Sequence, residues 1–255
     1  MELFDSHLHL DDAAFDLDRE AVLERARAAG VVGMVTAGTD LASSARALAL
    51  AAQAEEIYAA VAIHPHEAHR VTASDVDALR RMAEDPRVVA VGETGLDLVR
   101  GAPREAQEDA FRAHVRLARE RGLPVVIHCR EAYPRVLEIL EEEGAGTVIM
   151  HAFSGSVDTA AACTRRRYFI SLAGPVTFRN AGTVLDVARA IPLELLLLET
   201  DAPVLSPEPL RGRRNEPSHL PHIARRVAAL RGMAADEVAA AATGNARRAF
   251  RVEGA

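Results

Sequence analysis

Ten histidines are spread along the chain, and six of them close short apolar runs that read as β-strands. These are His7, His9, His64, His66, His128 and His151; Glu93, and Glu199 with Asp201, close two further runs. His69, His114, His219 and His222 fall elsewhere. His7 and His9 are two apart on a strand, so both side chains leave the same face, where two imidazoles can share one metal ion. Glu93, His128, His151 and Asp201 end four other runs. Several ionisable groups converging on one place are costly without a compensating cation. Imidazole and carboxylate ligands together suit Zn²⁺, Mn²⁺, Ni²⁺ or Mg²⁺. Six ligands exceed one tetrahedral site, so the set predicts two divalent ions. A carboxylate bridges two ions through its two oxygens, which imidazole cannot do. A carboxylated lysine is excluded as the bridge, because all 30 basic residues are arginine. Glu93, midway in strand order, is the expected bridge. His7, His9 and Asp201 would hold one ion with it, and His128 and His151 the other.

Such residues need strands whose ends converge. Candidate strands are Leu3–His9, Val31–Gly38, Ile57–His64, Val88–Glu93, Pro124–His128, Thr147–His151, Tyr168–Ala173 and Glu194–Glu199. Segments with helical periodicity lie between them, among them Arg19–Ala29, Ala42–Glu55, Arg104–Arg121 and Tyr133–Glu143. Continuous apolar strands such as Val88–Val91 and Leu195–Leu198 fit a parallel sheet covered on both faces. Gly30, Gly122 and Gly144 or Gly146 follow helices, where a C-terminal cap belongs. Eight βα units without a Ser/Gly-rich linker predict an α/β fold, a single (β/α)8 TIM-like barrel spanning residues 1–255. Ala234–Phe250 adds an extra C-terminal helix. A doubly wound sheet would show a Gly-rich turn after the first strand; here that turn reads Asp5-Ser6-His7-Leu8-His9-Leu10. In a (β/α)8 barrel the chemistry sits at the C-terminal ends of the strands, which is where the histidines fall.

Other groups bear on the substrate. Arg130 is either solvated or placed to reach a phosphate. Arg211-Gly212-Arg213-Arg214-Asn215 is locally basic and reads as an anion clamp, since guanidinium holds phosphate in a bidentate way. Arg165–Arg167 precede the seventh strand and read as solvated, Thr39-Asp40 as a helix cap, and Cys129 as a packed residue. A net charge of −7 over 255 residues argues against a wholesale polyanion-binding surface. Two cysteines are too few for a disulfide scaffold, so a reducing, cytoplasmic setting is expected. Residues Met1–Asp5 lack a basic leader, and no long apolar run follows, so neither secretion, membrane insertion nor an obligate protein partner is expected.

These residues also resemble the signatures of the TatD family of metal-dependent deoxyribonucleases, in the amidohydrolase superfamily, over essentially the whole chain. Asp5–Leu10, Ile63–His66, Gly92–Asp97, Ile127–Ala132, His151–Gly155 and Leu198–Pro203 are similar to successive family motifs. Arg211-Gly212 with Asn215–Pro217, and Thr243–Ala246, complete the set. Ala152 stands where a cysteine is common, and Leu98 where an aromatic often follows Gly-Leu-Asp; the loop Val99–Ala102 is about a residue short. The resemblance implies a barrel, two divalent metals bridged by Glu93, and hydrolysis of DNA phosphodiesters with 3′→5′ polarity.

The mechanism expected is two-metal hydrolysis by an activated water. Asp201 is the candidate general base. His64 and His66 would bind phosphate or protonate the leaving oxygen, and Arg130, Arg211 and Asn215 would hold non-reacting oxygens. With no Trp and 4% aromatic residues there is no extended stacking platform. A strand end threaded into a pocket is therefore the expected substrate, single-stranded or frayed. Three rivals remain at this point: an amidohydrolase acting on C–N or ester bonds, including aminoacyl-tRNA, with the same metals; a phosphatase of the PHP class; and a non-catalytic metal-binding module.

Overall fold

The computed structural model describes residues 1–252, so the last three residues of the expected 1–255 domain lie outside the described residues. Eight strands alternate with helices: β1 (Leu3–Leu8), β2 (Val31–Ala37), β3 (Ile57–Val61), β4 (Val88–Asp97), β5 (Val125–Arg130), β6 (Val148–Met150), β7 (Phe169–Leu172) and β8 (Leu196–Leu198). The α-helices are α1 (Arg19–Ala28), α2 (Leu41–Ala51), α3 (Ala73–Met82), α4 (Arg104–Arg121), α5 (Tyr133–Glu142), α6 (Val157–Arg165), α7 (Val184–Ala190), α8 (Leu220–Arg231) and α9 (Ala235–Phe250). The strands follow one another in sequence order, β1 to β8, in one sheet. The resolved pairings are parallel. This is the α/β order of a (β/α)8 barrel, with α9 as the extra C-terminal helix, as the alternation in the sequence predicts.

Boundaries differ where tertiary pairing or a local turn decides. β4 runs past the expected Glu93 to Asp97, because Thr94, Gly95, Leu96 and Asp97 stay in register with Ile127, His128, Cys129 and Arg130 of β5. β8 starts later than expected, because a short 3-10 turn, Leu193–Leu195, occupies its first residues. Asp40 does cap α2: its carboxylate accepts the Ser43 N–H while the Ser43 hydroxyl accepts the Asp40 N–H. Gly122 ends α4 at φ 67°, a left-handed conformation that glycine adopts without penalty.

Two compact units can be distinguished. Residues 1–35 and 152–252 form the first. Its core packs β1, β7 and β8 under α8 and α9, with Phe4 stacked on Phe250 at 6.0 Å between centroids. Residues 36–151 form the second, in which β3 to β6 carry α2 to α5. In this unit the buried Glu143 accepts from both Arg112 and Arg116, tying the end of α5 to α4.

Asn245 shows how α9 sets the start of β8. Its side chain is buried within the helix contact and donates to the carbonyls of Leu193 and Leu196 at 2.7 and 2.8 Å. Asn245→Ala strands both acceptors and is expected to cost about 2 kcal/mol of stability, measured as a lower urea midpoint; an unchanged midpoint would show that the two bonds are dispensable.

Candidate metal centre

The first unit brings together His7, His9 and Asp201. His7 points inward from β1, and His9 follows two residues later on the same face. Asp201 lies beyond β8, and the two segments are joined by Asp201 N–H to His7 O (3.0 Å) and His9 N–H to Ala202 O (2.7 Å). The Nε2 atoms of His7 and His9 stand 3.3 Å apart, and Asp201 Oδ1 lies 3.8 and 3.5 Å from them. Ligand atoms about 2.0–2.1 Å from one tetrahedral ion would be spaced by about 3.3 Å. The trio therefore fits a single divalent cation.

Behind the trio is a buried brace. Asp5, fully buried in β1, accepts the Thr200 N–H at 2.9 Å and the Thr200 hydroxyl. Burial pushes its carboxyl up to about 8, against the lowering effect of those hydrogen bonds. Thr200 immediately precedes Asp201, which adopts a left-handed backbone at φ 56°. That strain of about 1–3 kcal/mol is held in place by its neighbours on both sides, Thr200 bonded to Asp5 and Asp201 N–H to His7. In the same unit Glu199 accepts the Ala152 N–H at 2.7 Å, fixing the backbone directly after His151.

The second unit gathers His64 from just beyond β3, Glu93 from within β4, His128 from near the end of β5 and His151 from directly after β6. One oxygen, Glu93 Oε1, faces three imidazoles: His128 Nδ1 at 2.7 Å, His64 Nε2 at 3.3 Å and His151 Nε2 at 3.4 Å. Close approach of the strands makes this geometry possible. A Cβ on Gly95, at φ 140°, would sit 2.0 Å from the His128 carbonyl oxygen.

Asp97 completes the group from the last residue of β4. Its Oδ2 lies 3.0 Å from His66 Nε2 and 3.2 Å from His128 Nε2. His128 thus turns Nε2 to Asp97 and leaves Nδ1 for Glu93. A carboxylate on a ring nitrogen is the arrangement that orients metal-binding histidines, and here both ring nitrogens face carboxylates. Asp97 Oδ1 accepts the N–H groups of Val99 and Arg100, and Gln107 brackets Asp97 from α4. The loop carrying exposed Leu98 and Val99 is thereby a rigid rim.

Charge follows from these contacts. Burial alone would raise the Glu93 pKa, but the imidazoles of His64, His151 and His128 around its carboxylate hold it well below the carboxylate range. His128 is raised, since Glu93 outweighs the effect of burial. His64 is lowered, chiefly by burial. Its Nδ1 accepts the His66 N–H at 3.2 Å, so its neutral ring carries the proton on Nε2 and donates toward Glu93.

The substrate-side expectations fare differently. Asn215 is a correction: it is fully buried and does not face a substrate. Its amide donates to Thr200 O and Val204 O at 2.7 Å each, and its Oδ1 accepts the Glu216 N–H. With donors and acceptor so committed, it braces the segment after β8. In the basic loop, Arg214 is spent on Asp18 and the Ala14 carbonyl, which removes it from the expected clamp. Arg211 stays exposed, its guanidinium 4.1 Å over the Phe178 ring and 3.4 Å from Asn180 Oδ1. Arg130 is exposed at the end of β5 and His66 half-buried at the rim, while Cys129 is buried as expected.

Sequence reasoning missed Asp97 and Asp5 as parts of this machinery. Asp97 had a signal, since it closes the Gly92–Asp97 motif one strand turn beyond Glu93. Asp5 had only its place at the head of the Asp5–Leu10 motif, because its role depends on a partner 195 residues away in the chain.

Comparison with known proteins shows the family. Residues 4–251 match the family model described as TatD related DNase. A Bacillus subtilis protein named uncharacterized metal-dependent hydrolase YabD is 42% identical, over 98% of this chain and 99% of its own. A protein of Erwinia tasmaniensis named 3′-5′ ssDNA/RNA exonuclease TatD is 41% identical, over 97% and 99%. The crystal structure of YJJV, a TatD homolog from Escherichia coli, superposes with a TM-score of 0.93 at 33% identity, covering 98% of each chain. The chain belongs to the TatD related DNase family and is a metal-dependent hydrolase.

Proposed function

We propose that this hydrolase removes nucleotides from the 3′ ends of single-stranded or frayed DNA, acting as one cytoplasmic domain over residues 1–255. Two divalent ions are assigned, one to His7, His9 and Asp201 and one to His128 and His151, with Glu93 shared between them. The observation that carries this reading is Glu93: an ionised, buried carboxylate whose one oxygen faces three imidazoles. Such a group has a use for cations and little use as packing. When bound, the ions supply a water of lowered pKa and neutralise the phosphate charge.

The protein's own groups supply the rest. Asp201 accepts the proton of the attacking water. His64 offers its Nε2–H to a phosphate oxygen or to the leaving oxygen. His66, held by Asp97, and the exposed guanidiniums of Arg130 and Arg211 meet the flanking phosphates. The same metals would serve a C–N or ester bond equally well. The phosphodiester is favoured by the exposed arginines and by the printed names of relatives about 40% identical. No helix among the described residues is long and apolar enough to cross a membrane.

Two measurements test the reading. Glu93→Gln keeps the shape and removes the charge, so it should lower kcat/KM on single-stranded DNA by at least ~100-fold, more than the loss of an outer-shell partner. Cys129→Ser should stay close to the parent. Comparable losses in two folded variants would count against Glu93 as the shared ligand. An end-labelled linear oligonucleotide should be degraded while its circular counterpart persists; a circle cut at the linear rate would make the enzyme an endonuclease.

A further inference from the structure

His114 lies mid-way along α4, fully buried, and touches none of the candidate ligands directly. Its Nε2 accepts the N–H of Ile63 at 3.2 Å. The neutral ring therefore carries its proton on Nδ1, which is shared between Thr94 Oγ1 at 3.1 Å and the Ala110 carbonyl one helical turn back. Burial depresses its pKa to about 4, so the ring stays neutral near pH 7. Ile63 immediately precedes His64, and Thr94 immediately follows Glu93. One imidazole thus joins the two backbone segments that carry the His64–Glu93 contact at 3.3 Å.

We propose that His114 is a positioning residue that locks the ends of β3 and β4, and so sets where His64 and Glu93 stand around the metal. A leucine would fill the same volume but offer neither the acceptor for Ile63 nor the donor for Thr94. A glutamine offers both, through its carbonyl and its amide. The inference rests on the proposed metal centre for its consequence, and on the hydrogen bonds alone for the lock itself.

The test compares His114→Leu and His114→Gln by Mn²⁺ titration calorimetry, with melting of the metal-free proteins and imidazole ¹⁵N spectra alongside. His114→Leu should weaken Mn²⁺ binding by about 10–100-fold, as loss of outer-shell partners does, and shift the His64 ring signals. His114→Gln should restore both. A leucine variant with parental affinity and unmoved His64 signals overturns the proposal, whatever happens to its melting temperature. Should that variant fail to fold, Thr94→Val removes only the hydroxyl half of the lock. It should move the His114 and His64 signals and weaken Mn²⁺, and unchanged values of both would overturn the proposal equally. A parent protein that binds no Mn²⁺ speaks against the metal centre, while the metal-free His64 signals still decide the lock.

Discussion

Glu93 places a negative charge among apolar strands, and much of the second unit is organised around keeping that charge there. Removing a carboxylate from water costs several kcal/mol unless partners replace the lost hydration. Here His64, His128 and His151 replace it, each from the end of a different strand. The contact with Glu93 survives only if β3, β4, β5 and β6 end at the right heights. The absence of a side chain at Gly95 lets β4 and β5 come close enough for this.

Each unit carries its own buried braces of hydrogen bonds. Asp97 orients His66 and His128, and is itself held by Gln107 and two loop N–H groups. Asp5 holds Thr200, which presents Asp201, and Asn215 holds the carbonyl of the same threonine. Each brace is buried, and most end on backbone atoms next to a candidate ligand rather than on the ligand itself. This is how a short side chain is kept in place: its backbone is immobilised before its rotamer is.

The sequence discloses ligands better than it discloses braces. A histidine or carboxylate at the end of an apolar run is readable because strand position and chemistry coincide in one residue. His7, His9, Glu93, His128, His151 and Asp201 are readable as candidate ligands in this way. Period and capping likewise gave the strands, α9 and the Asp40 cap. Asn215 was misread for an instructive reason. Beside three arginines an asparagine looks like part of a polar loop, yet its position is decided by Thr200 and Val204 carbonyls that only the folded chain brings near. Arg214 was misread on the same grounds, with Asp18 as the hidden partner. Local composition describes what a loop contains, whereas burial decides which of its groups remain for a ligand.

Anomalous diffraction at the manganese edge, on crystals loaded with Mn²⁺, addresses the central claim most directly. The account predicts two peaks of comparable height about 3.5–4 Å apart, both within bonding distance of Glu93, one against His7 and His9 and the other against His128 and His151. A single peak, or two peaks of which only one touches Glu93, would contradict it.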